Sequence, residues 1–232
     1  MFDNIWEKFH RIFIVQKGYK EILAGLQNTI IIALGALVIG ILLGVITAVI
    51  KILPRKGVLR RILHLAADIY ITVIRGTPVV VQLLIAYFGI FAKYRVLDAI
   101  TVAIYVFGIN SGAYVAEIVR AGILAVDKGQ MEAGRSLGLS FGTTMLKIIL
   151  PQAIKNIIPA LGNEFITLIK ETSVAGFITV TDVTRASRSL AGVHYEAGVI
   201  YLVLAAVYLV LVLAATALVN LIEKELRKSD TR

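Results

Sequence analysis

Residues 22–50 read ILAGLQNTIIIALGALVIGILLGVITAVI, with no Asp, Glu, Lys or Arg between Glu21 and Lys51. At about 1.5 Å per helical residue, this run is long enough to cross the ~30 Å hydrocarbon core of a bilayer. The composition around it agrees. The chain of 232 residues is 58% apolar and only 17% charged, with a mean hydropathy of +0.85. A soluble domain would carry charge on about a quarter of its residues. This hydrophobicity excludes disorder, and the absence of cysteine excludes a disulfide scaffold while leaving the redox compartment open. The net charge of +9 does not point to nucleic acid, because the basic residues flank apolar segments. That placement suits topology control and contact with an anionic leaflet.

Four more apolar segments follow. Residues 62–91 enclose Asp68 and Arg75, and residues 99–125 enclose Glu117 and Arg120. Residues 148–169 enclose Lys155, Pro159 and Glu164, and residues 197–222 carry no charge. The expectation is an all-α integral membrane protein with five transmembrane helices. Five spans put the termini on opposite faces. One face then carries Lys51, Arg55, Lys56, Arg60, Arg61, Arg120, Lys128, Arg135, Lys147, Lys155, Lys224, Arg227, Lys228 and Arg232. The other carries Lys8, Arg11, Lys17, Lys20, Lys93, Arg95, Lys170, Arg185 and Arg188, with Arg75 near mid-span. The excess on the first face predicts a cytoplasmic C-terminus and an outer N-terminus.

Residues 1–21 do not read as a signal peptide, since charges of both signs interrupt them. Phe2, Ile5, Trp6, Phe9 and Phe13 recur at helical spacing, while Asp3, Glu7, Lys8 and Arg11 take other positions. This predicts an amphipathic helix, either lying in the outer interface or packed on the protein body. Between the last two spans, the apolar stretch 174–180 is too short to cross and predicts a short helix or re-entrant piece in an outer loop. Tyr87, Phe88, Tyr94 and Tyr105 read as interfacial or core aromatics.

Chemistry of the enzymatic kind is missing from this sequence. There is no Gly-Lys dipeptide, hence no phosphate-binding loop of the nucleotide-hydrolysing type. His10, His64 and His194 are scattered without metal-ligand spacing, and no serine has a convincing histidine partner. Any energetic work must draw on another chain or on an ion gradient.

The connection before the fourth span reads EAGRSLGLSFGTTMLKIILP, from Glu132 to Pro151. Glu132, Ala133 and Arg135 to Leu137 favour a short helix, and Gly138 supplies a stop or bend. Ser140 or Thr143 can cap the helix that follows. The stretch resembles the EAA loop of bacterial binding-protein-dependent ABC importer permeases, E-A-A-x3-G-x9-I-x-L-P. Six of the seven fixed positions match without a gap, Gly134 replacing the second Ala. IRGTPVVVQLL (74–84), AYVAEIVRAGILAVDKGQ (113–130) and NEFITLIKETS (163–173) are similar to the polar amino-acid uptake group of that family.

This resemblance implies one type I importer transmembrane domain over residues 22–232, preceded by the interfacial helix at 1–21. The coupling loop lies at about 127–147. Glu132, Ala133, Gly134 and Gly138 would dock in a groove of a cytoplasmic ATPase. The implied partners are a second permease subunit, in a homodimer or heterodimer, two ATPase subunits, an extracytoplasmic solute-binding protein, an amino-acid substrate and the lipid bilayer. No nucleic acid is implied. ATP and Mg would belong to the ATPase, leaving this chain without cofactor, metal or catalytic residue. The location implied is the bacterial cytoplasmic membrane.

Ionisable residues within apolar spans are costly and usually face a cavity or a partner. Arg75 is followed by Gly76, Thr77 and Pro78, where proline should break the helix and free backbone groups at mid-membrane. Asp68 is seven residues earlier, on nearly the same face and about 10 Å away along the axis. These two could hold the ends of an amino acid, or meet charges on other helices. Glu164 lies halfway along the fourth span beside Asn163, near Pro159 and Gly162, which would loosen the helix and admit a ligand to the backbone. Its carboxylate suits an α-ammonium or a cationic side chain, or a salt bridge to Arg75. Glu117 is a further candidate, although Arg120 at i+3 permits a local ion pair. Lys170 and Glu171 at the outer boundary suit snorkelling or a delivered ligand.

The expected substrate-binding set is therefore Glu164, Asn163, Asp68, Arg75, Thr77 and Glu117, serving a cationic amino acid such as arginine, lysine or histidine. Glutamine or another polar amino acid is the alternative within the family. A gradient-driven secondary transporter, with Asp68 or Glu164 as its proton or sodium site, is the rival from another class.

Overall fold

The computed structural model describes residues 2–54, 57–91 and 97–228. Arg55, Lys56, Lys93, Tyr94, Arg95 and Arg232, all used in the readings above, lie outside the described residues. Among the described residues the chain is helical throughout: α1 (Phe2–Phe9), α2 (Tyr19–Ile52), α3 (Val58–Arg75), α4 (Val79–Leu84), α5 (Ala99–Leu124), α6 (Lys128–Ser136), α7 (Phe141–Thr144), α8 (Leu150–Glu171), α9 (Val183–His194) and α10 (Ala197–Arg227). Three of these, α2, α5 and α10, are long and apolar enough to cross a membrane, and the pair α3–α4 makes a fourth candidate if taken together.

The break between α3 and α4 falls where Pro78 demands it. The Gly76 amide donates to Thr72 O at 2.9 Å, closing α3. Pro78 is extended, with φ −63° and ψ 134°, and starts α4. Proline has no N–H to give to the preceding turn, so continuing α3 through it would cost a hydrogen bond and a clash, and here the helix breaks. Pro151 and Pro159 act differently. Ahead of Pro151 the chain widens into a π-helical segment, Met145–Ile149, which passes directly from α7 into α8. One continuous helical rod thus runs from Phe141 to Glu171. Pro159 lies inside α8 without ending it.

Two compact units divide the chain. The first comprises Met1–Ala36, Thr77–Gly108 and Ile166–Ala214. Its core gathers Ile12, Phe13, Ile22, Val183, Ala186, Leu190 and Ile200. Ile12 and Phe13 belong to a π-helical turn, His10–Val15, that follows α1 and ties the N-terminal segment to α9 and α10. Lys8 Nζ pairs with Glu196 at 2.8 Å, while Trp6 is 65% exposed. The stretch after Glu171 forms a 3-10 helix, Thr172–Ile178, and then α9, whose first turn is capped by Asp182. The short piece expected at 174–180 is this 3-10 helix.

The second unit comprises Leu37–Gly76, Ile109–Phe165 and Ala215–Arg232. Ala48, Val115, Val119, Ala153 and Ile157 form its core. Here α2 approaches α5 at two glycines. A Cβ on Gly40 would lie 2.8 Å from Ser111 Oγ, and one on Gly44 would lie 2.5 Å from Val115 Cβ. The missing side chains let α5 sit deep, so that Ser111, Gly112, Ala113 and Val115 are buried.

Candidate functional site

The second unit holds five of the six expected substrate-binding residues and all four coupling residues. Its charges fall into two groups. In the first, charge meets charge. Lys51 Nζ of α2 lies 2.6 Å from Asp68 Oδ1 of α3. Arg120 donates to Glu117 Oε2 from both Nε, at 3.1 Å, and Nη2, at 2.6 Å. Asp68 thus meets a charge on a neighbouring helix, and Glu117 forms the local pair that its i+3 spacing permits. Asp68 also borders a concavity lined by Arg61, His64 and Leu65.

The second group meets neutral partners. Arg75 is exposed and sits over the Tyr114 ring, 5.1 Å from guanidinium carbon to centroid. Ser111 Oγ of α5 donates to Glu164 Oε1 of α8 at 2.7 Å. Ser111 is fully buried and Glu164 half-buried, with Asn163 exposed beside it. Among the described residues neither Arg75 nor Glu164 makes an ion pair, so the salt bridge considered between them does not form. A carboxylate satisfied only in part by one hydroxyl keeps acceptor capacity for a cation. A guanidinium stacked on a ring keeps its donors for a carboxylate.

Gly162 does not admit a ligand to the backbone. A Cβ there would lie 2.5 Å from Val219 Cγ2 of α10, so the glycine serves helix packing. Thr77 belongs to the first unit, where Gln82 Nε2 donates to its Oγ1 at 2.8 Å and to its carbonyl at 3.1 Å. Ser111, Asn110 and Tyr114 escaped the sequence reading. Their signal is the polar stretch Asn110-Ser111 deep inside the apolar span of α5. Extending the cost of buried polarity from charges to hydroxyls and amides would have found it. Among the described residues no three His, Cys, Asp or Glu side chains gather to hold a metal ion.

The loop from α6 to α7 is built as its residues dictate. Asp127 caps α6 by accepting from the Gly129 amide at 2.6 Å. At the other end, Leu137 N donates to Ala133 O at 3.0 Å, Gly138 N to Arg135 O at 3.0 Å and Leu139 N to Gly134 O at 3.1 Å. This is a Schellman closure with Gly138 at φ +81°, a conformation that disfavours any residue with a Cβ. Ser140 then caps α7, its Oγ accepting from Thr143 N at 3.1 Å. Glu132 and Ala133 are exposed on α6, and Leu137 at the bend is 81% exposed. Gly134 is buried against Thr144.

The family described as binding-protein-dependent transport system inner membrane component matches residues 40–228. The chain is 39% identical to the arginine transport system permease protein ArtQ of Bacillus subtilis (strain 168), over 90% of this chain and 94% of that one. It is 37% identical to the L-cystine transport system permease protein TcyB of the same organism, over 92% and 90% of the two chains. Among solved structures, a chain in the crystal structure of an amino acid ABC transporter with histidines superposes with a TM-score of 0.83. That chain is 42% identical, with 91% of this chain and 96% of that chain covered. The protein is thus a membrane component of a binding-protein-dependent ABC transport system rather than a gradient-driven carrier, and it belongs to the family of inner membrane components that bears that description.

Proposed function

We propose that this chain is the permease subunit of an ATP-driven importer of cationic amino acids, with arginine, lysine or histidine as its solute. The observation that carries the reading is Glu164, a carboxylate within a helical rod whose contact is the neutral Ser111 hydroxyl at 2.7 Å. A carboxyl group with spare acceptor capacity and no counter-charge favours a cationic ligand group over a neutral amide. Arg75, likewise without a carboxylate partner among the described residues, suits the α-carboxylate of the same solute. Asn163 is assigned to a polar contact with it, while Asp68 and Glu117 hold Lys51 and Arg120 until solute competes. The names of the relatives, for arginine and for cystine, support amino acids as the class.

In this reading α2, α3–α4, α5, α8 and α10 are five spans, with α8 the fifth despite Lys155, Glu164 and Lys170 along it. Residues 22–232 form the importer domain. Residues 1–21 lie in the outer interface, held to the body by Ile12 and Phe13. The N-terminus is outside and the C-terminus in the cytoplasm of a bacterial cell. Glu132, Ala133, Gly134 and Gly138 shape a knob that docks on one of two ATPase subunits, where ATP and Mg are held. A second permease subunit and a solute-binding protein complete the assembly. ATP-driven closure of the ATPase pair draws the knobs together and opens the path outward, and hydrolysis returns it inward.

The test is uptake by the complex reconstituted with its ATPase and binding protein, using labelled arginine and labelled glutamine. Arginine uptake is expected, and Glu164→Gln should lower it at least about tenfold without loss of assembly. Glutamine uptake alone would keep the importer and replace the solute. Unchanged arginine uptake in Glu164→Gln would remove Glu164 from the site.

A further inference from the structure

Gly134 is the one position at which the Glu132–Pro151 stretch departs from the E-A-A pattern, and it is where α6 meets α7. A Cβ at Gly134 would lie 2.5 Å from Thr144 Cγ2 and 2.9 Å from Thr144 Oγ1. Side chains do not pack that closely, so one of the two residues would have to yield. Thr144 is badly placed to do so. It is fully buried and, being β-branched, is stiff about χ1. Its Oγ1 donates to Ser140 O at 3.0 Å, and its amide donates to the same carbonyl at 2.9 Å. Turning the side chain away would break the first of these bonds. Gly134 is no freer, because its carbonyl accepts from Leu139 N at 3.1 Å in the closure that presents Gly138.

Thr144 also ends α7, and from it the helix continues through Met145–Ile149 into α8. Glu164 lies on that same rod, about 30 Å farther along. A change of angle at Thr144 is therefore felt at both ends, by the knob and by the carboxylate.

We infer that Gly134 and Thr144 are a matched pair that sets the angle between α6 and the α7–α8 rod, which makes Thr144 a positioning residue for energy coupling. The inference rests on the reading of this loop as the ATPase contact. Its consequence is counterintuitive: alanine, the residue of the family pattern, is the wrong residue at position 134 of this chain unless Thr144 is cut back.

The experiment compares wild type, Gly134→Ala and the double variant Gly134→Ala/Thr144→Ala, each assembled with the ATPase and binding protein in liposomes. It reads recovery of the complex, ATP hydrolysis, and labelled arginine taken up per ATP hydrolysed. Gly134→Ala should assemble and hydrolyse ATP but take up about tenfold less solute per ATP. The double variant should recover most of that loss, since the nearest remaining Thr144 contact to the new methyl is Cβ at 3.3 Å. Wild-type coupling in Gly134→Ala overturns the pair. So does a double variant no better than the single one, including a single variant whose failure to assemble the second change does not relieve. A wild type that recruits no ATPase sinks the coupling reading itself, whereas a coupled wild type beside an equally coupled Gly134→Ala sinks only the pair.

Discussion

Gly138 and Gly134 sit four residues apart and are glycine for opposite reasons. Nothing lies within 4 Å of a Cβ built on Gly138, so its constraint is the backbone at φ +81°. At Gly134 the constraint is space. The two demands predict different mutational profiles. Asparagine tolerates the left-handed region, whereas a β-branched residue does not. Gly138→Asn should therefore retain far more uptake per ATP than Gly138→Val, with the valine destabilising the bend by about 1–2 kcal/mol. Equal behaviour of the two variants in the reconstituted complex would mean that the bend is not under conformational strain. The charges follow a similar logic of local partners. Asp68 and Glu117 looked like Glu164 in the sequence, since each is an acid inside an apolar stretch. What separates them is that Lys51 and Arg120 lie at 2.6 Å from the first two, while Glu164 has a hydroxyl.

At the level of elements, caps decide where helices start. Asp182 is fully buried and accepts from Thr184 N at 2.9 Å and Arg185 N at 3.1 Å, opening α9. Burial pushes its carboxyl above the usual range, and the backbone hydrogen bonds only partly offset this. A carboxyl raised in the folded state binds its proton more tightly folded than unfolded. The stability it contributes is present below the ordinary carboxylate range and is lost as pH rises through the raised value. Asp182→Asn keeps an acceptor oxygen and does not ionise. Relative to this variant, wild type should lose thermal stability across the pH window that opens at the ordinary carboxylate value of about 4 and closes at the raised one. A difference in melting temperature that stays constant across that window would show that Asp182 does not titrate there. The broken α3–α4 pair was predictable at this scale, because Pro78 removes a donor wherever the chain goes. The π-helical passage before Pro151 was not, since a proline can end a helix, kink it or be absorbed by a wider turn.

For the whole molecule, the proposed topology, drawn from the distribution of Lys and Arg, puts the α6–α7 loop and the C-terminus in the cytoplasm. Reporter fusions test this directly. A cytoplasm-active reporter after residue 232 should be active, and an export-dependent one at the same place silent. The reverse result would place the coupling loop outside, where no ATPase could reach it. The two compact units give a second handle. Residues 37–76, 109–165 and 215–232, which carry Glu164 and the knob, form one of them. A uniform core of Ala48, Val115, Val119, Ala153 and Ile157 ties α2, α5 and α8 together there.

The sequence by itself determined the membrane class and the long apolar helices, and it singled out the Glu132–Pro151 motif. Those follow from local causes: a long uncharged run, a proline without a donor, a glycine that accepts positive φ, and a motif read in order along the chain. It also nominated a set of charges for attention, because charge inside an apolar span is expensive wherever it lies. Only the tertiary structure decided which of those charges are satisfied. Lys51 and Asp68 come from different helices, as do Ser111 and Glu164. Their meeting depends on how the helices pack against one another, which no single stretch of sequence encodes. Likewise Gly134 looked like a blemish in a motif until Thr144, ten residues on, was seen to fill the space its side chain would need. Pairing across helices is a property of packing, and packing is where the two residues of each pair first become neighbours.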